Sequence, residues 1–111
     1  MAEPYLTQLK CIIDRLKTTH ESVEDVSCRH FFSGAAAYAG GHIFMSLSPA
    51  GLALKLPVQD RTALFSEGGA PLRYFPSAPV KKGYVVLPPA LVADDAALND
   101  WLLRSLKHVR N

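Results

Sequence analysis

The chain has 111 residues, 49% of them apolar and 20% charged, which excludes a disordered tail and a multidomain assembly and leaves one domain able to bury a core without staples. Twelve Lys and Arg stand against ten Asp and Glu, a formal net charge of +2, and only Lys81-Lys82 are adjacent, which is not the dense basic patch of a nonspecific nucleic-acid binder. No apolar run approaches the ~20 residues that span a bilayer, so no membrane role is expected.

The start, Met1-Ala2-Glu3-Pro4, is not the basic-then-apolar opening of an export signal, and the cytoplasm is the expected compartment. Two cysteines, Cys11 and Cys28, do not make the framework of a secreted scaffold and are expected to be free thiols.

In chain order, Leu6, Leu9, Ile12, Ile13 and Leu16 recur at helical spacing from about Pro4 to Thr19, with charged residues largely on the other side, and predict an amphipathic helix. His20 to Ser27 is polar with isolated valines and reads as a connector. A first short strand is expected around Ser27 to Phe32, a bend at Ser33-Gly34 and a second strand from Ala35 to Ala39. The side chains of Ala35-Ala36-Ala37 are small enough for a helix to pack closely.

Gly40-Gly41 predicts a tight hairpin turn and Ser48-Pro49-Ala50-Gly51 a second reversal. Strict alternation would then place Ile43, Met45 and Leu47 on one face of the third strand and His42, Phe44 and Ser46 on the other. In the fourth strand Leu52, Leu54 and Leu56 oppose Ala53 and Lys55. The pattern predicts an antiparallel sheet with one covered and one wetter face.

Pro57 ends that strand, and Asp60 is the expected cap of a short helix over Arg61 to Glu67 that buries Leu64 and Phe65 and stops at Gly68-Gly69. Ala70 to Pro79 carries three prolines and is expected at an edge or irregular. Lys81-Lys82-Gly83 is a turn, Tyr84 to Leu87 a last strand, and Pro88-Pro89 its end. From Asp94 or Asp95 the final helix presents Leu98, Trp101, Leu102, Leu106 and Val109 as one apolar stripe. Its acidic start and its basic end complement the helix dipole.

Catalytic chemistry finds no support in these patterns. His20, His30, His42 and His108 include no pair at helical metal-ligand spacing, and Cys28-x-His30 is half a zinc site with no signalled partners. No Gly-x-Ser-x-Gly elbow is present, neither glycine pair builds a phosphate loop, and Asp94-Asp95 reads as a helix cap. The expectation is therefore no enzyme, no cofactor and no metal. For nucleic acid the suggestive residues are Arg29, Lys55, Arg73, Lys81 and Lys82, with Tyr38, Phe44, Tyr74 and Tyr84 as candidate stacking groups. A partly exposed sheet also favours self-association.

From Arg29 to the C-terminus the series of motifs resembles the TfoX N-terminal domain family, the regulators of competence and their stand-alone relatives. Arg29-His30-Phe31-Phe32-Ser33-Gly34 stands where members carry Arg-Arg-Met-Phe-Gly-Gly, followed by Tyr38-Ala39-Gly40-Gly41 and Phe44. Leu52-Ala53-Leu54-Lys55, Arg61, Phe65, Gly68-Gly69-Ala70-Pro71-Leu72-Arg73-Tyr74, Tyr84, Leu87-Pro88 and Leu98-x-x-Trp101 complete the series. The chain departs at His30, Phe31 and Ser33, at Ala36, where the family has Gly, and at Leu72, where it has an aromatic residue.

The resemblance implies an α+β fold, which agrees with the independent reading: two layers, an antiparallel sheet of about five strands with an N-terminal, a short middle and a C-terminal helix packed on it, in an α-β-β-β-α-β-β-α-like order. Larger members add a C-terminal domain, and this chain is expected to be a stand-alone member without the full competence-activating role. The expected function is a small cytoplasmic, non-enzymatic domain that binds an unidentified protein partner and forms a homodimer. Its candidate interaction face comprises Arg29, His30, Lys55 and Arg73. The alternative is direct nucleic-acid binding through that basic face, and a small-ligand or enzymatic role stands third.

Overall fold

The computed structural model describes residues 3–19, 25–31, 34–73 and 77–110. Most of the polar connector after Thr19, the Phe32-Ser33 part of the first bend, and Tyr74-Phe75-Pro76 lie outside the described residues. The elements are α1 (Glu3–Thr19), β1 (Val26–Phe31), β2 (Gly34–Ala39), β3 (His42–Ser48), β4 (Gly51–Lys55), α2 (Val58–Ser66), β5 (Tyr84–Val86), α3 (Pro89–Val92) and α4 (Asp95–Arg110). The strands form one antiparallel meander in the order β1-β2-β3-β4-β5, so the fold is α+β.

The turns follow from local chemistry. Gly40 and Gly41 hold φ of 56° and 85°, the left-handed pair that a two-residue hairpin requires if its twist is to match the flanking strands. At the next reversal the Ser48 hydroxyl accepts a hydrogen bond from the Ala50 N–H at 3.1 Å, and β4 resumes at Gly51.

One face of the sheet carries the main core. Leu9, Ile12, Ile13 and Leu16 of α1 and Leu98, Leu102 and Leu106 of α4 are buried there against Ala35, Ala37, Ala39, Met45, Leu52, Leu54 and Val85. The alanines of β2 do what their size suggests: Ala35, Ala37 and Ala39 lie in the cluster with the α1 leucines and isoleucines. Asp94 caps α4, its Oδ1 accepting from the Ala97 N–H at 3.2 Å.

The third strand departs from strict alternation. Ala37 pairs with Met45 but Tyr38 pairs with Ile43, so Phe44 is an extra residue on β3, a β-bulge. Phe44 and Met45, consecutive and fully buried, join the same core cluster under the helices, whereas Ile43 packs on the opposite face with Ala53 and Tyr84. The expected grouping of Phe44 with His42 and Ser46 is thereby corrected. A bulge interrupts the ladder, and the Ser105 hydroxyl of α4 meets it: this buried group lies 3.1 Å from the Phe44 carbonyl and 2.6 Å from the Lys55 carbonyl.

The second face is also covered at its centre, which corrects the expectation of a wetter side. Leu72, fully buried, packs against Ala53 and Tyr84, and the segment that carries it is tied down by the Ala70–Val86 bridge and by the Lys81 N–H donating to the Leu72 carbonyl at 2.8 Å. Two helix details also differ from expectation. α2 begins at Val58 with Pro57 as its N-cap, leaving Asp60 in the first turn, and its buried residue is Leu64, while Phe65 stays 43% exposed. The Pro88-Pro89 step opens the one-turn helix α3 with Pro89 at its start, where the missing proline N–H has no intrahelical use.

Candidate functional site

The register across the sheet defines the candidate face. Arg29 lies opposite Ala36, Ala36 opposite Ser46, Ser46 opposite Ala53 and Ala53 opposite Val86, one lateral row on the face away from α1 and α4. Its middle residues are small and fully buried, Ala36, Ser46 and Ala53 alike. Arg29 is exposed at the β1 end of the row. Its guanidinium carbon sits 5.7 Å from the ring centroid of half-buried Tyr38, its diagonal neighbour on β2. A cation over a ring at this distance is a cation–π contact, and it places a planar, permanently charged donor set beside an aromatic wall.

The other three candidates are dispersed around that pair. His30 lies opposite Ala35, whose methyl belongs to the core under the helices, so strand alternation turns it to the other face from Arg29. Cys28, opposite Ala37, shares that side with His30, as the half-site reading expected. Among the described residues no group of three or more His, Cys, Asp or Glu is placed to hold a metal ion. Lys55 lies opposite Tyr84, on the Arg29 face but at the far strand. Arg73 is on the covering segment, where its Nη1 donates to the Ala78 carbonyl at 2.7 Å, closing the loop that seats Leu72. The structure thus brings Arg29 together with Tyr38, keeps Lys55 on the same face at a distance of three strands, sets Arg73 on the cover and turns His30 away.

The proposed stacking groups divide in the same way. Phe44 and Tyr84 are buried, 0% and 4% exposed, so neither offers a ring to a base. Tyr38 keeps an accessible edge, and Tyr74 lies outside the described residues. Neither cysteine is in a disulfide; Cys11 is exposed and Cys28 half-buried.

With strand order, helix placement and the Arg29–Tyr38 pair in view, comparison with known families is decisive for kinship. The model of the TfoX N-terminal domain matches residues 19–109. The chain belongs to that family. No curated protein matches it. In this TfoX N-terminal domain the matched span takes in the whole sheet and α2 to almost the end of α4, so the meander and its closing helix are the family's common ground. Helix α1 lies ahead of the match except for its last residue, Thr19. No helix among the described residues is long and apolar enough to cross a membrane.

What pattern reading missed was a grouping, not a residue type. His42 and His108 stand far apart in sequence, yet the turn before β3 and the last turn of α4 bring them to line one cleft together with Lys55. The only sequence signal was the basic end of α4, which the helix dipole explains by itself.

Proposed function

We propose that this TfoX N-terminal domain is a non-enzymatic protein-interaction module of the cytoplasm, homodimeric and regulatory in role, and that its interface is centred on Arg29 and Tyr38. The observation that supports this reading is the Arg29–Tyr38 contact at the β1 end of the sheet. Arg and Tyr are enriched among the residues that dominate association energies, because each offers a large flat surface together with hydrogen-bonding capacity. The middle of the face, Ala36, Ser46 and Ala53, is fully buried, so the accessible part of the patch is its β1 edge. The flanking exposed position Ser27 of β1, opposite Tyr38, supplies the polar rim of such a patch.

In a dimer with twofold symmetry each interface residue meets the same patch on the other copy. Arg29 above Tyr38 is suited to this, because one copy's guanidinium can extend onto the other's ring without leaving its own. Relationship to competence regulators makes control of another protein the fitting role for the assembled form. The test is light scattering on the purified protein across a concentration series, followed by Arg29→Ala and Tyr38→Ala. A dimer that weakens in both variants supports the reading, whereas a monomer at all concentrations, or a dimer indifferent to both, refutes it.

A second reading, nucleic-acid binding, draws on Arg29 and Lys55 sharing one face. Its signature is a complex whose affinity falls steeply with salt. With Phe44 and Tyr84 buried and Arg73 bonded to Ala78, the face has fewer groups for phosphates and bases than its sequence suggested, and protein binding is the better reading.

A further inference from the structure

Two clefts meet at His108, in the last turn of α4. One, of about 370 Å³, is lined by Gly41, His42, Ile43, Lys55, His108 and Val109. The other, also about 370 Å³, is lined by Pro57, Asp60, Arg104, Lys107 and His108. His108 lines both. Each is within the size range of small-molecule sites, and the first sets two apolar side chains, Ile43 and Val109, beside a mostly polar lining.

The charge around this double cleft is one-sided. Its single carboxylate, Asp60, is matched by Arg104 at 3.4 Å, and Arg104 is held further by Asp100 at 3.3 Å and by its position 4.6 Å above the Trp101 ring. Arg110, at the end of the same helix, is paired with Asp25. These contacts satisfy the two arginines of α4. Lys55 and Lys107 have no ion pair among the described residues. The helix dipole accounts for Lys107 and His108, which sit in the last turn of α4. It does not account for Lys55, which arrives from the end of β4, or His42, from the start of β3. Three elements, β3, β4 and α4, therefore bring an ammonium and two imidazoles to the first cleft, whose lining among the described residues holds no carboxylate; Asp60 lines the second.

We infer that this double cleft binds a phosphoryl group carried by a small molecule, with Lys55 and Lys107 as the charged contacts from either side and His108 between them. Lysine ammonium groups act on phosphate as mobile point charges, and imidazole N–H groups donate to the remaining oxygens. Ile43 and Val109 would meet the rest of the ligand. The site needs no turnover, and its lining includes neither Arg29 nor Tyr38, although Ile43 lies opposite Tyr38 on the neighbouring strand; the proposal does not rest on that pair forming an interface.

The experiment is an amide-resolved NMR titration of the intact protein with inorganic phosphate, with adenosine monophosphate and with acetate at constant ionic strength. Saturable shifts confined to residues 41–43, 55 and 107–109 are expected with phosphate and with the nucleotide and not with acetate. Tighter binding of the nucleotide places its base and sugar on the Ile43–Val109 wall, and equal binding shows a site that reads the phosphoryl group alone; both are expected results that distinguish the source of the phosphate. Lys55→Gln and Lys107→Gln each remove one charge-assisted contact and should weaken binding about tenfold. Lys107 is exposed on the helix surface, so its variant remains folded if the half-buried Lys55 variant does not. Shifts that fail to saturate, that acetate reproduces, or that survive both substitutions unchanged overturn the proposal.

Discussion

Ser105 is the residue on which the packing of α4 turns. It is fully buried and polar, and its one hydroxyl proton serves two carbonyls, those of Phe44 at the bulge and Lys55 at the end of β4. Among the described residues no buried side-chain nitrogen or oxygen is left without a partner, so its removal would create a defect that is otherwise missing. Ser105→Ala should lower the unfolding free energy by about 1–3 kcal/mol, the cost of a buried carbonyl stripped of its donor, read by urea denaturation. A neutral result would show that the bulge carbonyl has another outlet.

Gly34 offers a second prediction at the same scale. A Cβ built there would stand 2.1 Å from the Leu47 carbonyl oxygen and 2.8 Å from the Ser48 Cα, and backbone does not give way as a flexible side chain does. Gly34→Ala should therefore cost about 1–3 kcal/mol by overpacking or more if the β2–β3 ladder must part, visible as a lower denaturation midpoint. Of the candidate residues, Arg29 was legible in its exposure alone, because an Arg on a short strand has nowhere in a small core to go. His30 was expected on the same face as Arg29, although alternation along β1 sets two consecutive residues on opposite faces.

Among elements, β3 shows where sequence reading stops. The run Ile43-Phe44-Met45 carries three large apolar residues in succession, which a half-buried strand of period two does not tolerate, and that conflict was the signal of the bulge. Ser46 and Ile43 share the far face although they stand an odd number of residues apart, and only an inserted residue allows it. β4, with no such conflict, has the faces its alternation predicts.

Helix α2 illustrates the other limit. Nine residues with one buried position have too weak a pattern to show which neighbour of Leu64 turns inward. Leu64→Ala should cost about 2–5 kcal/mol as a fully buried leucine, whereas Phe65→Ser should fall within about 0.5 kcal/mol of the parent, as exposed positions do. Thermal melts of the two variants check this, and a large loss at Phe65 would place it in an interface or in the core. Leu72 could not be placed from the sequence because its segment has no period; only the three-dimensional path of the chain lays it across Ala53 and Tyr84.

At the scale of the whole molecule, the domain is a meander with helices α1 and α4 on one face and an irregular segment across the centre of the other. Element order, turns and the apolar stripes of both long helices were readable because each rests on local chemistry. The covered centre of the second face, the bulge and the meeting of His42 with His108 were not, because each depends on residues distant in sequence.

Two surface features differ in character. Strands β1 and β2 carry the Arg29–Tyr38 pair, and α4, β3 and β4 line the basic double cleft. We propose association through the first. Its most direct test is sedimentation equilibrium of the wild-type protein and of Arg29→Ala at physiological salt. The account predicts a reversible dimer for the wild type and a dissociation constant raised at least about tenfold by the substitution, the worth of one well-placed cation–π and hydrogen-bonding group. A wild-type protein that sediments as a monomer throughout, or a dimer equally tight without the Arg29 side chain, would contradict it.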